Sequence, residues 1–262
     1  MNAPATPAGH LVLVPNTLDL LTAPTPINQV LSAGVLQRAA GIQHWAVENA
    51  KTSRSFLKRV GEVTPLSQTL QAMVVHELPR PRKGSAPGAV DPRELQALLA
   101  PALAGHDVGL LSDAGLPAVA DPGAALVAVA HDLGITVEPL PGASSLTLAL
   151  AASGLNGQRF AFEGYLPQDQ EERARRVKAL ETRSRQEGQT QLVIETPYRN
   201  AALLAALLQL LQPTTRLSVA CGLTSAGGWC RTLTVARWRQ AGPLSPPSLP
   251  ADLPAVFMWL AA

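Results

Sequence analysis

Acidic side chains set among small, turn-forming residues are the first candidates for chemistry in this sequence. The stretch "GLLSDAGLPAVADPG", residues 109–123, runs from an apolar segment into a loop holding Asp113 and Asp121. Asx turns and Pro-Gly pairs explain part of this composition, because Ser112-Asp113-Ala114-Gly115 and Asp121-Pro122-Gly123 can close turns with no ligand present. A loop this long and this poor in side chains also leaves its N–H and C=O groups open to close approach. Asp113 can accept hydrogen bonds there from a ribose hydroxyl or an amine. A second junction of the same kind lies in "VEPLPGASSLTLALAASGL", residues 137–155. Ser144 and Ser145 stand at its helix start, where they can cap the helix or help free N–H groups bind a polar ligand. Two more carboxylates, Glu48 and Glu77, end the short apolar stretches "HWAVEN" and "QAMVVHEL". A carboxylate at a strand end can serve as a base toward a hydroxyl, so both are candidate catalytic residues; capping or solvating a strand end is the plainer role. His76 points away from Glu77 by strand alternation.

These loops need strands and helices to hold them. "HLVLVP" reads as a strand, "TPINQVLSAGVLQRAAGI" as one helix by its apolar spacing, and "HWAVEN" as a second strand. "TSRSFLKRVG" predicts a helix with Thr52 as N-cap and Gly61 as its stop. "QAMVVHEL" gives a third strand, "PRPRKGSAPGAVDP" a basic surface insert, "RELQALLAPALA" a helix and "DVGLLS" a strong strand. Such alternation predicts an α/β fold with a parallel sheet covered on both faces. Ligands of such sheets bind beyond the carboxyl ends of the strands, which is where the Asp113 loop lies. The C-terminal half continues through "RFAFEGYLP", a charged helix "DQEERARRVKALETRSRQEG", the strand "TQLVIE", the junction "TPYR", an apolar helix and the strand "RLSVACGL". The expected organisation is two α/β domains, residues 1–115 and 116–262, with the boundary near Leu116.

Composition limits the partners. Hydrophobic residues make up 47% of the 262 and charged residues 15%, enough for a sizeable core. Lys and Arg number 21 against 19 Asp and Glu, so any surface that attracts nucleic acid must be local. "RARRVK", Arg173 to Lys178, and "RPRK", Arg80 to Lys83, are the local candidates; a solvated helix face and a solubilising loop are the plainer readings. The two cysteines, Cys221 and Cys230, form neither a disulfide framework nor a metal-ligand pattern, so a reduced compartment and no metal are expected. No signal peptide and no apolar run of about 20 residues is read, which predicts a cytoplasmic chain without a membrane span. The sequence holds no G-x-G-x-x-G after the first strand, no phosphate-loop signature and no H-E-x-x-H. A hydrolase constellation would have to use Ser144 or Ser145, Asp113 or Asp121, and His131.

Taken in order and spacing, "LLSDAGLPAVADPG", "PLPGASSLTLALAASGL" and "FAFEGYLP" closely resemble the ribosomal RNA small subunit methyltransferase I family of the tetrapyrrole methylase superfamily. "AVENAKTSRSFLKRVG" resembles that family's second strand and helix, with Glu48 and Arg54 at its acidic and basic positions. "LVIETPYRN" resembles its E-[ST]-P-x-R segment, with Glu195 and Arg199. The resemblance implies two α/β domains with S-adenosylmethionine held in a cleft between them, a homodimer, and ribose 2′-O-methylation of small-subunit ribosomal RNA. It places Asp113, Ala114, Gly115 and Pro117 in the first cofactor loop, Ser144 and Ser145 in the second, and Glu195 and Thr196 on the cleft wall. Arg54, Arg173, Arg176 and Arg199 become candidate substrate contacts. Two departures stand out. The first loop, Asn16 to Pro24, is remodelled, and the family's R-E-L-T-K reads Cys221-Gly222-Leu223-Thr224-Ser225. Losing an Arg and a Lys removes two phosphate partners. It leaves open a methyltransferase acting on a tetrapyrrole or other small molecule, or a cofactor-binding protein without activity.

Overall fold

The computed structural model describes residues 8–19, 24–80, 90–241 and 249–262. The first part of the chain forms β1 (Leu11–Leu13), α1 (Ile27–Val30), α2 (Ala33–Ala40), β2 (His44–Val47), α3 (Ala50–Val63), β3 (Val74–Glu77), α4 (Pro92–Leu103), β4 (Val108–Leu111), α5 (Ala124–Asp132) and β5 (Val137–Pro139). Its five strands make one sheet in the order β3-β2-β4-β1-β5, and every pairing is parallel. Alternation along each strand sends side chains to two faces. Val12, Val14, Trp45, Val47 and Leu111 pack against α2 and α3 through Val35, Leu36, Phe56, Leu57 and Val60. Leu11, Ala46, Val108 and Leu110 pack against α4 and α5 through Leu95, Leu99, Leu126 and Ala130. Trp45 needs its cross-strand neighbour to be glycine: a Cβ on Gly109 would lie 2.6 Å from the indole.

Chain direction fixes where this sheet can bind a ligand. After β2 the chain enters α3 on one face; after β4 it enters α5 on the other. The adjacent β2 and β4 therefore open a crevice between their carboxyl ends, the topological switch point of a parallel sheet.

The second part forms α6 (Ser145–Ser153), β6 (Phe160–Tyr165), α7 (Gln170–Glu187), β7 (Thr190–Glu195), a 3-10 turn (Pro197–Arg199), α8 (Asn200–Leu210), β8 (Arg216–Cys221), β9 (Trp229–Thr234), α9 (Val235–Ala241) and β10 (Ala255–Leu260). The order is β6-β7-β10-β8-β9, with β6 and β7 parallel and the other pairings antiparallel. One face takes α6 through Leu146, Ala149 and Leu150. The other takes α7, α8 and α9 through Val177, Leu180, Leu203, Leu207 and Trp238. Among the described residues no helix is long and apolar enough to cross a membrane.

Several local expectations change. The contacts divide the chain at Ala143–Ser144, not near Leu116. The reason is β5, which lies beyond the expected boundary yet hydrogen-bonds along β1 and so belongs to the first sheet. The single helix expected over residues 25–42 is two, because Leu31 is extended and Ser32 starts a new helix by accepting from the Val35 N–H. The N-cap of α3 is Asn49, whose Oδ1 accepts from Lys51 N at 2.9 Å, so Thr52 is free for another role. Gly61 does not stop α3, which runs on to Val63. Most of the basic insert, Pro81 to Lys83 included, lies outside the described residues, as do Leu20–Ala23 of the first loop.

Candidate active site

Four loops meet at the carboxyl edge of the first sheet. Asn16 follows β1 and is 5% exposed. Its Nδ2 donates to the carbonyls of Ser112 and Asp113, both at 3.0 Å, and its Oδ1 accepts from Thr17 N at 2.8 Å. The Asn16 N–H donates to Gly115 O, and the Gly115 N–H returns to Thr17 O. One amide side chain and two backbone bonds thus zip the loop after β1 to the loop after β4. Unpairing any of these buried groups costs about 1–3 kcal/mol. From the far side Pro141–Ala143 closes in after β5: a Cβ on Gly142 would lie 2.1 Å from the Pro15 ring, so only glycine allows the approach.

A half-buried ion pair anchors the same loop. Asp19 accepts from Arg59 Nη2 of α3 at 2.9 Å, and Arg59 also reaches Thr25 O at 2.7 Å. Burial pushes the Asp19 carboxyl up, but the hydrogen bonds of Arg59, the Thr17 hydroxyl and the Thr25 N–H outweigh it and hold the group below its ordinary value. The shortened contact from Thr17 Oγ1 completes the clasp.

At the switch point the structure brings three carboxylates together. Glu48 ends β2 and accepts from the Asp113 N–H at 3.1 Å. Asp113 Oδ1 accepts from the Thr52 hydroxyl of α3, and no described donor reaches its Oδ2. Asp121 sits two residues before the Gly123 cap of α5, and no described donor reaches it. Burial raises the Glu48 carboxyl; the Asp113 N–H and Arg80 oppose this, the Asp113 charge adds to it, and the net shift is upward. Asp121 is pushed up to about 7, chiefly by burial and then by the charges of Glu48 and Asp113. The loop that carries it is strained, with Ala118 and Ala120 both at φ 65°, in the left-handed region that costs a side-chain-bearing residue of order 1–2 kcal/mol. Such strain is often stored at functional sites.

Beside these carboxylates opens a pocket of about 560 Å³. Leu78, Pro79, Val90, Leu95 and Leu126 form apolar walls, while Glu48, Asp121 and Arg80 supply its charges.

Glu77 is not part of this group. It is exposed and accepts from Ala50 N at 2.8 Å, so it satisfies the first turn of α3. His131 lies in the last turn of α5, roughly 10 Å along the helix from its first residue Ala124, and Asp121 lies in the loop before that start. That separation removes the Asp121–His131 pair of the hydrolase reading. Arg54 is exposed on α3.

The second unit carries the other candidates. Ser144 is the N-cap residue of α6, is buried, and makes no side-chain capping bond; Ser145 begins the helix. Glu195 ends β7 and accepts from Thr196 N and from Arg199 Nη2, both at 2.7 Å, so these three form a closed local cluster. Exposed Tyr198 lies beside the Arg199 guanidinium, 5.7 Å from ring centroid to Cζ. On α7 Arg176 pairs with Glu163, which also binds Arg183 at 3.1 Å; Arg175 pairs with Glu171, and Arg173 reaches Gln168 O. Two of the four cations of Arg173–Lys178, Arg175 and Arg176, thus have carboxylate partners. Cys221 is fully buried, its thiol pushed up to about 11 by burial and by Asp252. The turn after it is closed by Ser225 Oγ donating to Gly222 O at 2.6 Å.

Residues 35–235 match the family model of Tetrapyrrole (Corrin/Porphyrin) Methylases, well over half the chain. The chain belongs to the tetrapyrrole methylase family. A ribosomal RNA small subunit methyltransferase I of Mesorhizobium japonicum is 32% identical over 213 residues, covering 80% of this chain and 65% of that protein. The protein of the same name from Synechocystis is 41% identical over 129 residues, 49% of this chain and 45% of its own length. The chain thus spans roughly half to two thirds of the length of these two relatives. A uroporphyrin-III C-methyl transferase from Thermus thermophilus, solved with S-adenyl homocysteine, shares the fold at a TM-score of 0.52 and 17% identity, covering 96% of this chain and 92% of that one. Of the sequence expectations, Glu48 and Asp113 meet in the first unit. Asp121 was read only as a turn residue or hydrolase partner; its Asp-Pro-Gly signal is that of a turn, and only its distant carboxylate neighbours mark it out.

Proposed function

We propose that this chain is an S-adenosylmethionine-dependent methyltransferase acting on a ribose 2′-hydroxyl of small-subunit ribosomal RNA. The names of its relatives support the reaction and the substrate. The observation that carries the reading is the loop after β4, clasped by Asn16 and built of small residues at the switch point of a parallel sheet.

The residues present fit the cofactor. Among the described residues Ser112 Oγ is buried with no partner, no donor reaches Asp113 Oδ2, and carboxylates outnumber the cations at the pocket. That balance suits a ligand bearing an ammonium and a sulfonium. When bound, the cofactor supplies a methyl group on a sulfonium, which a hydroxyl oxygen can accept. Asp113 would hold hydroxyl or amino groups of the ligand, while Ala114, Gly115 and Pro117 would let it reach the backbone. Glu48 fixes this loop through the Asp113 N–H and so positions it. Ser144, Ser145, Glu195 and Thr196 are proposed as further ligands from the resemblance alone. Arg54 and Arg173 are proposed for phosphate contact; Arg176 and Arg199 contribute less, since Glu163 and Glu195 already hold them. A homodimer is proposed on the same resemblance, and a cytoplasmic location on the two unpaired cysteines.

Calorimetry with S-adenosylmethionine tests the site: Ala114→Leu should abolish binding that the wild type shows, and unchanged affinity refutes the placement. Mapping ribose methylation in ribosomal RNA from a deletion strain tests the substrate. Loss of one 2′-O-methyl group is expected, and an unchanged map refutes it.

A further inference from the structure

The reaction needs a group to take the proton of the hydroxyl, and the two carboxylates expected for it are engaged elsewhere. Glu77 serves the N-terminus of α3, and Glu48 accepts the Asp113 N–H. Asp121 has no described donor and lines the 560 Å³ pocket together with Glu48 and Arg80. Its walls of Leu78, Pro79, Val90, Leu95 and Leu126 suit the flat apolar faces of a nucleobase and a sugar, and Arg80 suits a phosphate. We infer that this pocket receives the acceptor ribonucleotide, with Arg80 on its phosphate, and that Asp121 is the catalytic residue that takes the proton from its 2′-hydroxyl. The inference rests on the proposed methyl transfer.

The step balances with a sulfonium methyl donor as co-reactant. The O–H bond breaks and its proton passes to the Asp121 carboxylate. The oxygen forms a bond to the methyl carbon as the carbon–sulfur bond breaks, and its electron pair leaves with a neutral thioether. The products are a ribose methyl ether, a thioether and a protonated Asp121, which returns its proton to water.

The surroundings adapt Asp121 to this task. Among the described residues the charged groups facing it are Glu48 from the β2 end, Asp113 from the β4 end and Arg80 from the β3 end; α4 and α5 present Leu95 and Leu126. Burial and two negative neighbours bring its proton affinity to about neutrality, where a base is both ionised and effective.

The test uses the full chain, radiolabelled S-adenosylmethionine and isolated small ribosomal subunits. Asp121→Asn should slow methyl transfer by roughly 10²- to 10⁴-fold, with cofactor affinity by calorimetry unchanged. Carboxyl ¹³C titration without the cofactor should show one midpoint about 7 that is absent from Asp121→Asn. In Glu48→Gln the same midpoint, and the rising limb of the rate against pH, should both move down, because one negative neighbour is gone. The pH shift stands even where the Asn variant fails to fold. An Asp121→Asn enzyme within threefold of wild type, or an Asp121 midpoint near 4, overturns the assignment and leaves the methyltransferase reading intact. A wild type that methylates no ribosomal RNA overturns both.

Discussion

Asp121→Asn should make the protein more stable at pH 8 while stopping its chemistry. The folded carboxyl titrates at about 7 against an ordinary 3.8. Between those values the folded chain holds a proton that the unfolded chain has released, so stability falls as pH rises through this window. It is fully present below about 3.8 and lost above about 7. A gap of about three pH units, at ~1.4 kcal/mol each, gives about 4 kcal/mol. Asp121 is part-exposed, and solvent screening cuts this to roughly 2 kcal/mol. Asn keeps the shape and cannot ionise, so it escapes the loss. Urea unfolding at several pH values checks this. The variant should match wild type near pH 4 and exceed it by roughly 2 kcal/mol at pH 8. Parallel stability curves for the two proteins would refute both the raised affinity and the crowding of carboxylates that causes it.

Restoring the missing cations should not rescue anything at Cys221. Cys221→Arg forces a bulky guanidinium into a fully buried strand end and should cost at least about 3 kcal/mol by denaturant unfolding, even with the Asp252 charge near it. Ser225→Lys loses only the bond to Gly222 O and should cost about 1 kcal/mol. Changing Arg173, Arg175 and Arg176 together to Gln should alter the log–log salt slope of RNA binding by fewer than three contacts, at roughly 0.7–0.9 each, because Arg175 and Arg176 are already paired with Glu171 and Glu163. A full three-contact change in a filter-binding titration would show these local pairs to be weak.

The parallel sheet was legible because its signals are local. Val12, Val14, Trp45, Val47 and Leu111 sit in short apolar runs separated by helical periods, and each run became a strand. Caps were harder where two candidates stood close together. Asn49 and Thr52 both suit an N-cap, and the choice fell to Asn49 because Thr52 is drawn to Asp113, 61 positions away. A longer separation, between Leu11 and its partner Val137, hid the domain boundary, since β5 earns its place only by pairing with β1. The second unit's β9 and α9 went unread, their residues being neither strongly apolar nor clearly periodic. Of the site, Glu48 and Asp113 could be picked out as carboxylates at strand ends. Asp121 could not, because its character comes from burial and from Glu48 and Asp113 rather than from its own neighbours in sequence.

The place of β10 sets a schedule for synthesis. This strand lies at the centre of the second sheet, between β7 and β8, yet it comes from residues 255–260. At roughly 5–20 residues per second, the ribosome takes about 5–20 s to travel from β6 to β10. The first sheet is complete by residue 139 and can settle in that interval. The second cannot: Leu192, Val193, Val219 and Ala220 belong to strands with no common partner until β10 has been made. Until then β7, paired only with β6, and β8, paired only with β9, each keep one edge without a partner.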